Sequence, residues 1–279
     1  MSRGAAFNAL SVDLEDWYHI CGIEGYADTA RWDEYESRIT RNTDKILALL
    51  DRYDARATFF VLGYVAAREP GLIRAIRDRG HEIATHGFCH RRVFEMTRDE
   101  FEADVRQSVE IISAVTKEKV LGFRAPEWSV RKDTFWAFEV LRSMGILYDS
   151  SMVPLTRMGS PDFPVYPTEF ETGSGKIWEF PLSTIRLFHE NIPFSGGLPL
   201  RMVPYFYIAS AIHGINRQGL PALVYIHPWE FDTEQPHIDL PLSRRFMHYF
   251  NVTATPRKVE GLLRHFSFAP LREVLGLAS

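Results

Sequence analysis

The sequence predicts an α/β fold, a distorted (β/α)7-type barrel built as a single domain. Short apolar runs alternate with segments of helical periodicity at intervals of roughly 25–40 residues, which is typical of parallel βαβ units. About seven such units fit a chain of this length, which favours a barrel over an open, doubly wound sheet. Polar residues follow several of the apolar runs. In such barrels the chemistry lies where the strands end.

Each element is predicted from its pattern of apolar residues and from the residues that end it. Apolar runs predict strands at 9–12, 57–62, 81–85, 120–123, 146–148, 177–180, 183–186 and 222–226. Helical spacing predicts helices over 38–53, 70–80, 97–115, 131–144, 202–218 and 256–266. Residues 154–176 are rich in Pro, Gly, Ser and Thr, which predicts an inserted loop or a small hairpin.

Composition excludes several classes of protein. The net charge is −4 and no long basic run occurs, so no nucleic-acid partner is expected. Cys21 and Cys89 are too few for a disulfide scaffold. No apolar stretch approaches the ~20 residues that span a bilayer, and no secretory signal is evident. We therefore expect a cytoplasmic protein without a transmembrane segment, and peripheral association with a membrane-bound pathway stays open.

Three acids lie within four residues at the end of the first strand. In an extended chain Asp13 and Glu15 face the same side, whereas Asp16 reaches that side only if the chain turns. Carboxylates packed together repel each other, and a bound cation relieves that repulsion. The alternative is a solvated turn that caps a helix.

Two histidines four residues apart follow the third strand. His86 and His90 can bind one metal ion if they share a helical turn, although such a pair also arises incidentally. Two imidazoles and a carboxylate leave positions open for water and substrate, as catalytic zinc requires. The acids and the histidines together therefore predict a metal centre.

Two further residues follow later strands. Arg124, in the segment GFRAPEW, can pair bidentately with a carboxylate, although a surface ion pair is an equal alternative. His227 follows the apolar run ALVYI, where a core histidine is the alternative. At the mouth of a barrel both residues would lie beside the predicted metal.

With these motifs in order, the sequence resembles the polysaccharide deacetylases of carbohydrate esterase family four, the NodB-homology family. The resemblance covers about residues 8 to 230 and rests on the Asp13 cluster, the His86–His90 pair, Arg124-Ala-Pro126 and His227. The phrases VDLEDWYH, FRAPEWS, YDSS and YIHPWEFD are most similar to the subfamily associated with exosortase and PEP-CTERM systems. Residues 231–279 then form a subfamily-specific extension of one deacetylase domain, 1–279.

The resemblance implies a role for each of these residues. His86, His90 and either Glu15 or Asp16 would bind a divalent ion, most often zinc. Asp13 would be the general base and Arg124 would hold it. His227 would be the general acid, with Asp149 as the residue that orients it. For the substrate-binding residues we expect Pro126, Glu127, Trp128 and Trp229, with residues 193–199 as a lid or groove wall.

The implied reaction removes acetyl groups from N-acetylated sugars of a polysaccharide, in exopolysaccharide or cell-envelope biosynthesis, and releases acetate. The resemblance leaves the polymer, the oligomeric state and the metal open. One alternative is a hydrolase of the same fold that acts on a small cyclic amide, as allantoinase does. Others are a glycosidase that pairs Asp13 with Glu127 or Glu230, and a sugar-binding protein without catalytic activity.

Overall fold

In a computed structural model of the protein, the described residues are 7–277 except 24, 25, 27 and 157. Residues 1–6, which bear on the expected absence of a leader, therefore lie outside the described part. The strands are β1 (Asn8–Leu14), β2 (Thr58–Val61), β3 (Glu82–Thr85), β4 (Gly122–Phe123), β5 (Tyr148–Asp149), β6 (Thr168–Thr172), β7 (Gly175–Glu179), β8 (Thr184–Leu187), β9 (Glu190–Pro193), β10 (Leu223–Ile226) and β11 (Phe268–Ala269).

The helices pack mainly on the outside of the sheet. They are α1 (Ile39–Arg52), α2 (Gly63–Arg68), α3 (Pro70–Asp78), α4 (Arg98–Thr116), α5 (Trp136–Ser143), α6 (Gly197–Met202), α7 (Tyr205–Asn216), α8 (Leu242–Tyr249), α9 (Ala254–His265) and α10 (Leu271–Val274). Helix α4 begins at the predicted capping box, in which Thr97 and Glu100 satisfy each other's backbone N–H groups. Among the described residues no helix combines the length and apolar character that a membrane span requires.

Seven parallel strands form the main sheet in the order β10-β1-β2-β3-β4-β5-β7, which confirms the predicted fold class. Strand β6 continues the sheet antiparallel to β7, so the segment 154–176 contributes one strand of a hairpin. Strand β11, which the sequence pattern does not predict, pairs with the start of β1. Strands β8 and β9 form a separate hairpin.

The sheet curves strongly enough for side chains to meet across its interior. Phe60 on β2 and Tyr148 on β5 have ring centroids 6.4 Å apart. The described strands do not pair around a full circle. Instead Leu182 donates its N–H to the carbonyl of Met152, and Tyr225 on β10 donates to the carbonyl of Ser195. The segment from 180 to 196, which follows β7, therefore bridges the gap between the β5–β7 side of the sheet and β10.

Alternating side chains of the strands divide the core into two parts. Residues that face the helices form the larger apolar cluster, while a smaller cluster fills the inside of the curved sheet. Helix α10 closes the amino-terminal end of the sheet, where Leu271 packs inside and donates its N–H to Thr58 Oγ1 at 2.8 Å. The carboxyl-terminal ends of the strands remain available for a site.

Candidate metal and catalytic site

The predicted site residues meet at one end of the sheet because the strands that carry them are parallel. Asp13 lies near the end of β1, His86 follows β3, Arg124 follows β4 and His227 follows β10. Ligand atoms of Glu15, His86 and His90 lie within 4.8 Å of one another, and so do those of Asp13, Glu15 and His227. Glu15 therefore joins the two groups.

A carboxylate oxygen and two imidazole nitrogens face one another at the first group. Glu15 Oε1 lies 2.9 Å from His86 Nε2 and 2.9 Å from His90 Nε2. All three side chains are buried. Burial alone would raise the pKa of the Glu15 carboxyl, but the two imidazoles hold that pKa well below its ordinary value. Glu15 is therefore a carboxylate in this site.

Hydrogen bonds on the far side of each ring decide where the imidazole protons lie. His86 Nδ1 is 2.7 Å from the carbonyl oxygen of Arg124, which can only accept, so Nδ1 donates. The thiol of Cys21 donates to the carbonyl of His90 at 3.0 Å, and its sulfur lies 3.3 Å from His90 Nδ1. With both Nδ1 protons directed away from Glu15, it is the Nε2 atom of each ring that faces the carboxylate and that could bind a cation.

One carboxylate oxygen and two imidazole Nε2 atoms converge in a buried space, where a cation can take the place of the protons between them. Two imidazole nitrogens and one carboxylate oxygen are the donor set of many catalytic zinc sites, and outer-shell bonds to Nδ1–H are the usual way such ligands are oriented. The residues present therefore fit a divalent metal ion held by Glu15, His86 and His90.

The loop that carries the two histidines differs from the expected helical turn. Residues 86–90 are not helical, and Gly87 and His90 have φ angles of 76° and 52°. Asp104 of α4 accepts the N–H groups of Phe88 and Cys89 at 2.7 and 3.1 Å. A Cβ on Gly87 would lie 2.7 Å from Asp104 Oδ2, so this anchoring requires glycine.

Asp16 does not face the histidines, so the structure separates the two acids that the sequence left as alternatives. Its Oδ2 accepts the N–H groups of Arg38 and Ile39 at 2.8 and 3.2 Å, together with the hydroxyl of Ser37 at 2.8 Å. Oδ1 accepts the N–H of Trp17. Asp16 therefore caps the first turn of α1, the structural alternative for this cluster.

Arg124 and Asp13 form a buried ion pair beside this cluster. Arg124 Nη1 donates to Asp13 Oδ1 at 2.6 Å and to Ser11 Oγ at 2.7 Å. Its other nitrogens donate to the carbonyl and the hydroxyl of Ser150. The guanidinium also lies 4.4 Å from the ring of Trp128. Asp13 is thereby held in one orientation, and Arg124 is not a surface residue.

His227 lies on the other side of Asp13. Its Nε2 is 3.8 Å from Asp13 Oδ2, and its Nδ1 is 3.0 Å from Glu230 Oε2. Burial alone would lower the pKa of His227, but the bond to Glu230 and the charges of Glu15 and Asp13 outweigh burial and raise that pKa above its ordinary value of 6.5. The ring can therefore hold a proton on Nε2, toward Asp13.

Glu230, not Asp149, orients His227, and this corrects the expectation for Asp149. The hydroxyl of Ser151 donates to Asp149 Oδ1 at 2.7 Å. Burial raises the pKa of Asp149 to about 6 and raises the pKa of its neighbour Glu179 well above the ordinary value. We assign one shared proton to Asp149 Oδ2 and Glu179 Oε2, which are buried without another hydrogen-bond partner among the described residues.

Sequence reasoning missed the role of Glu230, although a signal was present. Pro228 opens a turn directly after His227, and the acid three residues on is the second member of a capping box. Glu230 accepts the backbone N–H of His227 at 3.0 Å as well as bonding the ring. Cys21 and Ser11 were also missed, and no local pattern marks either residue.

A cavity of about 550 Å³ opens beside these groups. Of the expected substrate-binding residues, Glu127, Trp128 and Trp229 line it, whereas Pro126 is buried in the preceding turn and is not among its lining residues. From the predicted lid, Gly197, Leu198 and Pro199 line the cavity.

Trp128 and Trp229 line the cavity and also pack against Arg124 and His227, respectively. Trp229 stacks between His227, at 5.0 Å between ring centroids, and His248 of α8, at 4.4 Å. Glu127 and Trp128 both have positive φ angles, 49° and 54°, which is strained for side chains of this size. Glu127 is held there between Arg92, at 2.8 Å, and Arg244, at 3.2 Å.

Two family models match this chain, and the residues of the site are distributed over both matched segments and the strand that precedes them. Residues 31–148 match the family model described as polysaccharide deacetylase, and residues 150–276 match one described as a domain of unknown function, DUF3473. The second segment supplies His227, Glu230 and Trp229. The segment that matches the domain of unknown function therefore contributes the part of the cavity wall formed by His227 and Trp229.

Curated relatives match over part of the chain. A peptidoglycan deacetylase-like protein of Gibberella zeae is 30% identical over 110 residues, which are 39% of this chain and 32% of that protein. A peptidoglycan-N-acetylglucosamine deacetylase of Bacillus cereus is 29% identical over 137 residues, 46% of this chain and 50% of that protein. The match thus spans a half or less of these relatives' own length.

Solved structures match over nearly the whole chain at low identity, which shows the fold alone. A Mycobacterium smegmatis protein provisionally named a polysaccharide deacetylase has a TM-score of 0.63 and 20% identity, covering 100% of this chain and 94% of its own. The PuuE allantoinase has a TM-score of 0.56 and 19% identity, covering 84% of this chain and 70% of its own. Residues 31–148 thus match the family model described as polysaccharide deacetylase, and the chain shares the fold of these solved structures.

Proposed function

We propose that this protein hydrolyses the N-acetyl group of an N-acetylated sugar in a polysaccharide and releases acetate. The observation that carries the proposal is the convergence of ligand atoms of Glu15, His86 and His90 next to an Asp13–Arg124 pair and a protonatable His227. Amide hydrolysis needs a base, an acid and a polarising cation, and this arrangement offers all three. The curated relatives named above are peptidoglycan deacetylases or proteins similar to them.

The residues of the chain divide the work as follows. A divalent ion at Glu15, His86 and His90, which we take to be zinc, would polarise the acetyl carbonyl and acidify water. Asp13 would accept the proton of the attacking water, and Arg124 keeps Asp13 in place for this. His227 would donate the proton that the departing amine nitrogen requires, since an unprotonated amide nitrogen is a very poor leaving group.

Glu230 and the cavity wall would support this chemistry. Glu230 fixes the ring of His227 and favours its protonated form. Trp128 and Trp229 shield Arg124 and His227 from water on one face. The cavity is large enough for sugar residues, and we infer that the polymer is an exopolysaccharide or cell-envelope glycan, which the likeness of the sequence phrases to the exosortase-associated subfamily supports.

We also infer that the two matched segments act as one domain. Strand β11 pairs with β1, and Leu271 packs inside the sheet beside residues of the first segment. The cavity is lined from both segments. Neither segment alone would therefore carry a complete site.

The test is acetate release from N-acetylglucosamine oligomers and from N-acetylated polymer. Native protein, protein stripped with a chelator and protein resupplied with zinc are compared, together with His86→Ala and Asp13→Asn. We expect activity to be lost with the chelator and restored by zinc. His86→Ala should lose metal and activity, while Asp13→Asn should keep metal and lose activity. The matched control is His213→Ala, an exposed histidine on α7.

An active chelated protein, or a His86→Ala variant with full metal content, would show that the assignment is wrong. A glycosidase that used Asp13 with Glu127 or Glu230 would cleave the oligomers and be indifferent to chelation. An allantoinase-type hydrolase would release no acetate and would instead open a small cyclic amide, which is assayed in parallel.

A further inference from the structure

Exposed apolar side chains are concentrated in one part of the chain. Among the described residues, eleven of the thirteen large apolar side chains that are exposed lie between residues 158 and 250. Phe188, at the tip of the β8–β9 hairpin, is 89% exposed, and Leu242, at the start of α8, is 84% exposed. Scattered exposed apolar residues are ordinary, but a concentration of this kind marks an interaction surface.

These side chains lie on four elements: the loop of Met158, helix α6 and helix α8, which line the cavity, and the β8–β9 hairpin, which is joined to that loop. Met158 lines the cavity, and its loop is tied to the hairpin by a hydrogen bond from Thr156 to Glu190 at 3.0 Å. Helix α6 lines the next part, and Arg201 on it donates to the carbonyls of Met247, His248 and Phe250 at the end of α8. We call the exposed side chains on these elements the apolar rim: Met158, Leu187, Phe188, Met202, Leu242 and Phe246.

Helix α8 presents Leu242 and Phe246 to solvent instead of to the core. None of its eight residues is buried. Leu242 and Phe246 are four residues apart and so lie on one side, with the exposed Arg245 beside them. A helix with exposed Leu and Phe next to Arg is typical of segments that lie in a membrane interface.

Two stretches of this part of the chain contain no acidic residue. The chain has a net charge of −4, yet residues 191–229 and 240–259 contain no Asp or Glu. Of the six Lys or Arg residues in these stretches, Arg217, Arg245 and Arg257 are exposed, and Arg245 lies on the rim helix α8 itself. A basic, apolar region on an acidic protein is complementary to an anionic lipid surface.

We propose that the apolar rim docks on an anionic phospholipid bilayer, so that the catalytic cavity opens toward the lipid surface. The inference rests on the proposed function, and it narrows the substrate to an N-acetylated saccharide carried on a lipid. The rim inserts Phe188, Leu242 and Phe246 among the head groups, and Arg245 pairs with lipid phosphates.

A second copy of this chain fits the same surface less well. In a two-fold symmetric dimer each patch meets its own copy. The exposed Arg245 would then meet the same helix of the other copy, which contains no Asp or Glu. A bilayer has no such conflict, since the head groups supply the anionic charge.

The first experiment is co-sedimentation of the full chain with vesicles of phosphatidylcholine alone and of phosphatidylcholine mixed with phosphatidylglycerol. We expect binding to the mixed vesicles that weakens with added salt. Phe188→Ser and Leu242→Ser should each weaken it about tenfold, or 1.4 kcal/mol, and Arg245→Glu by a similar factor. The controls are Phe7→Ser, an apolar residue 55% exposed before β1, and Lys119→Glu, before β4.

The second experiment compares acetate release from a soluble N-acetylglucosamine oligomer and from the same oligomer linked to a phospholipid in mixed vesicles. The native protein should be faster on the vesicles. Phe188→Ser and Arg245→Glu should lose that advantage and keep the soluble rate, because neither residue lines the cavity. Inactivity on both substrates would count against the proposed function, whereas equal rates on both would count only against docking.

Three outcomes would overturn the docking proposal. Native protein that ignores the mixed vesicles is one, and rim variants that bind as tightly as the two controls are another. The third is a native dimer in sedimentation velocity that Phe188→Ser dissociates while vesicle binding is absent, which would assign the surface to a second copy.

Discussion

Glu15→Gln and Asp16→Asn are neighbouring, isosteric changes that each remove one buried negative charge, and we expect them to differ in their effect on metal binding. Glu15→Gln should abolish tight metal binding. Asp16→Asn should lower stability and leave metal binding nearly unchanged. The contrast depends only on which acid faces the histidines.

The magnitude for Glu15 follows from its geometry. Loss of a residue that merely orients a metal ligand weakens binding about 10–100-fold, so loss of a direct ligand should exceed ~100-fold. Glu15 Oε1 lies 2.9 Å from the Nε2 atom of each histidine, which is the position of a direct ligand. Glutamine keeps an oxygen at this place but loses the negative charge that a divalent ion would bind.

The magnitude for Asp16 follows from the hydrogen bonds that it accepts. Its carboxylate accepts three backbone N–H groups and the hydroxyl of Ser37. Asparagine retains one acceptor oxygen and loses the charge that complements the start of α1. A cap of this kind contributes about 1–2 kcal/mol, which corresponds to a fall of roughly 2–6 °C in Tm for a chain of this size.

The assays are zinc titration against a competing chelator and thermal unfolding of the metal-free proteins. Asp44→Asn, on the exposed side of α1, is the control for removal of one charge. If Asp16→Asn lost zinc while Glu15→Gln kept it, Asp16 would be the ligand, and the assignment of Glu15 as the ligand would be refuted.

Three further predictions follow from the site. Glu230→Gln should reduce kcat about 10²-fold, in the range of general acid catalysis, because Glu230 raises the pKa of His227; since the protonated ring is the active form, the alkaline fall in kcat/KM should begin at lower pH, and an unchanged pH profile would contradict this. Asp149→Asn should keep metal content and should change kcat less than about tenfold, since we assign Asp149 to a shared-proton pair rather than to His227; a loss comparable to that of Glu230→Gln would restore Asp149 as the orienting residue. Cys21→Ala should weaken zinc binding about 10–100-fold because His90 Nδ1 loses its partner, whereas Cys21→Ser should recover part of it; equal affinity in both variants would rule out that role.

The pattern of elements was predictable because it depends on local periodicity. Apolar runs and helical spacing predicted most of the strands of the parallel sheet and most of its longer helices. Short elements such as α2, α6 and β11 escaped prediction, because segments of two to six residues carry too little periodicity. Strand β11 forms by pairing with the start of β1, which is far from it in the sequence.

The residue types of the site were also readable from the sequence, since parallel strands bring their carboxyl ends to one edge and the polar residues follow those strands. The hydrogen-bond partners of these residues were not readable from the sequence. Asp16 and Glu15 are chemically similar neighbours, and only the turn after β1 directs one to α1 and the other to the histidines. Asp149 and Glu230 were alternatives of the same kind, and the partner of His227 is decided by the turn at Pro228.

The sequence by itself thus determined the fold class and the set of chemical groups, because both depend on residue identity and spacing along the chain. Tertiary structure alone decided which of two adjacent acids faces the histidines, which acid contacts His227, and where the exposed apolar side chains lie relative to the cavity. Those features depend on angles and distances between segments far apart in sequence, which no local pattern records.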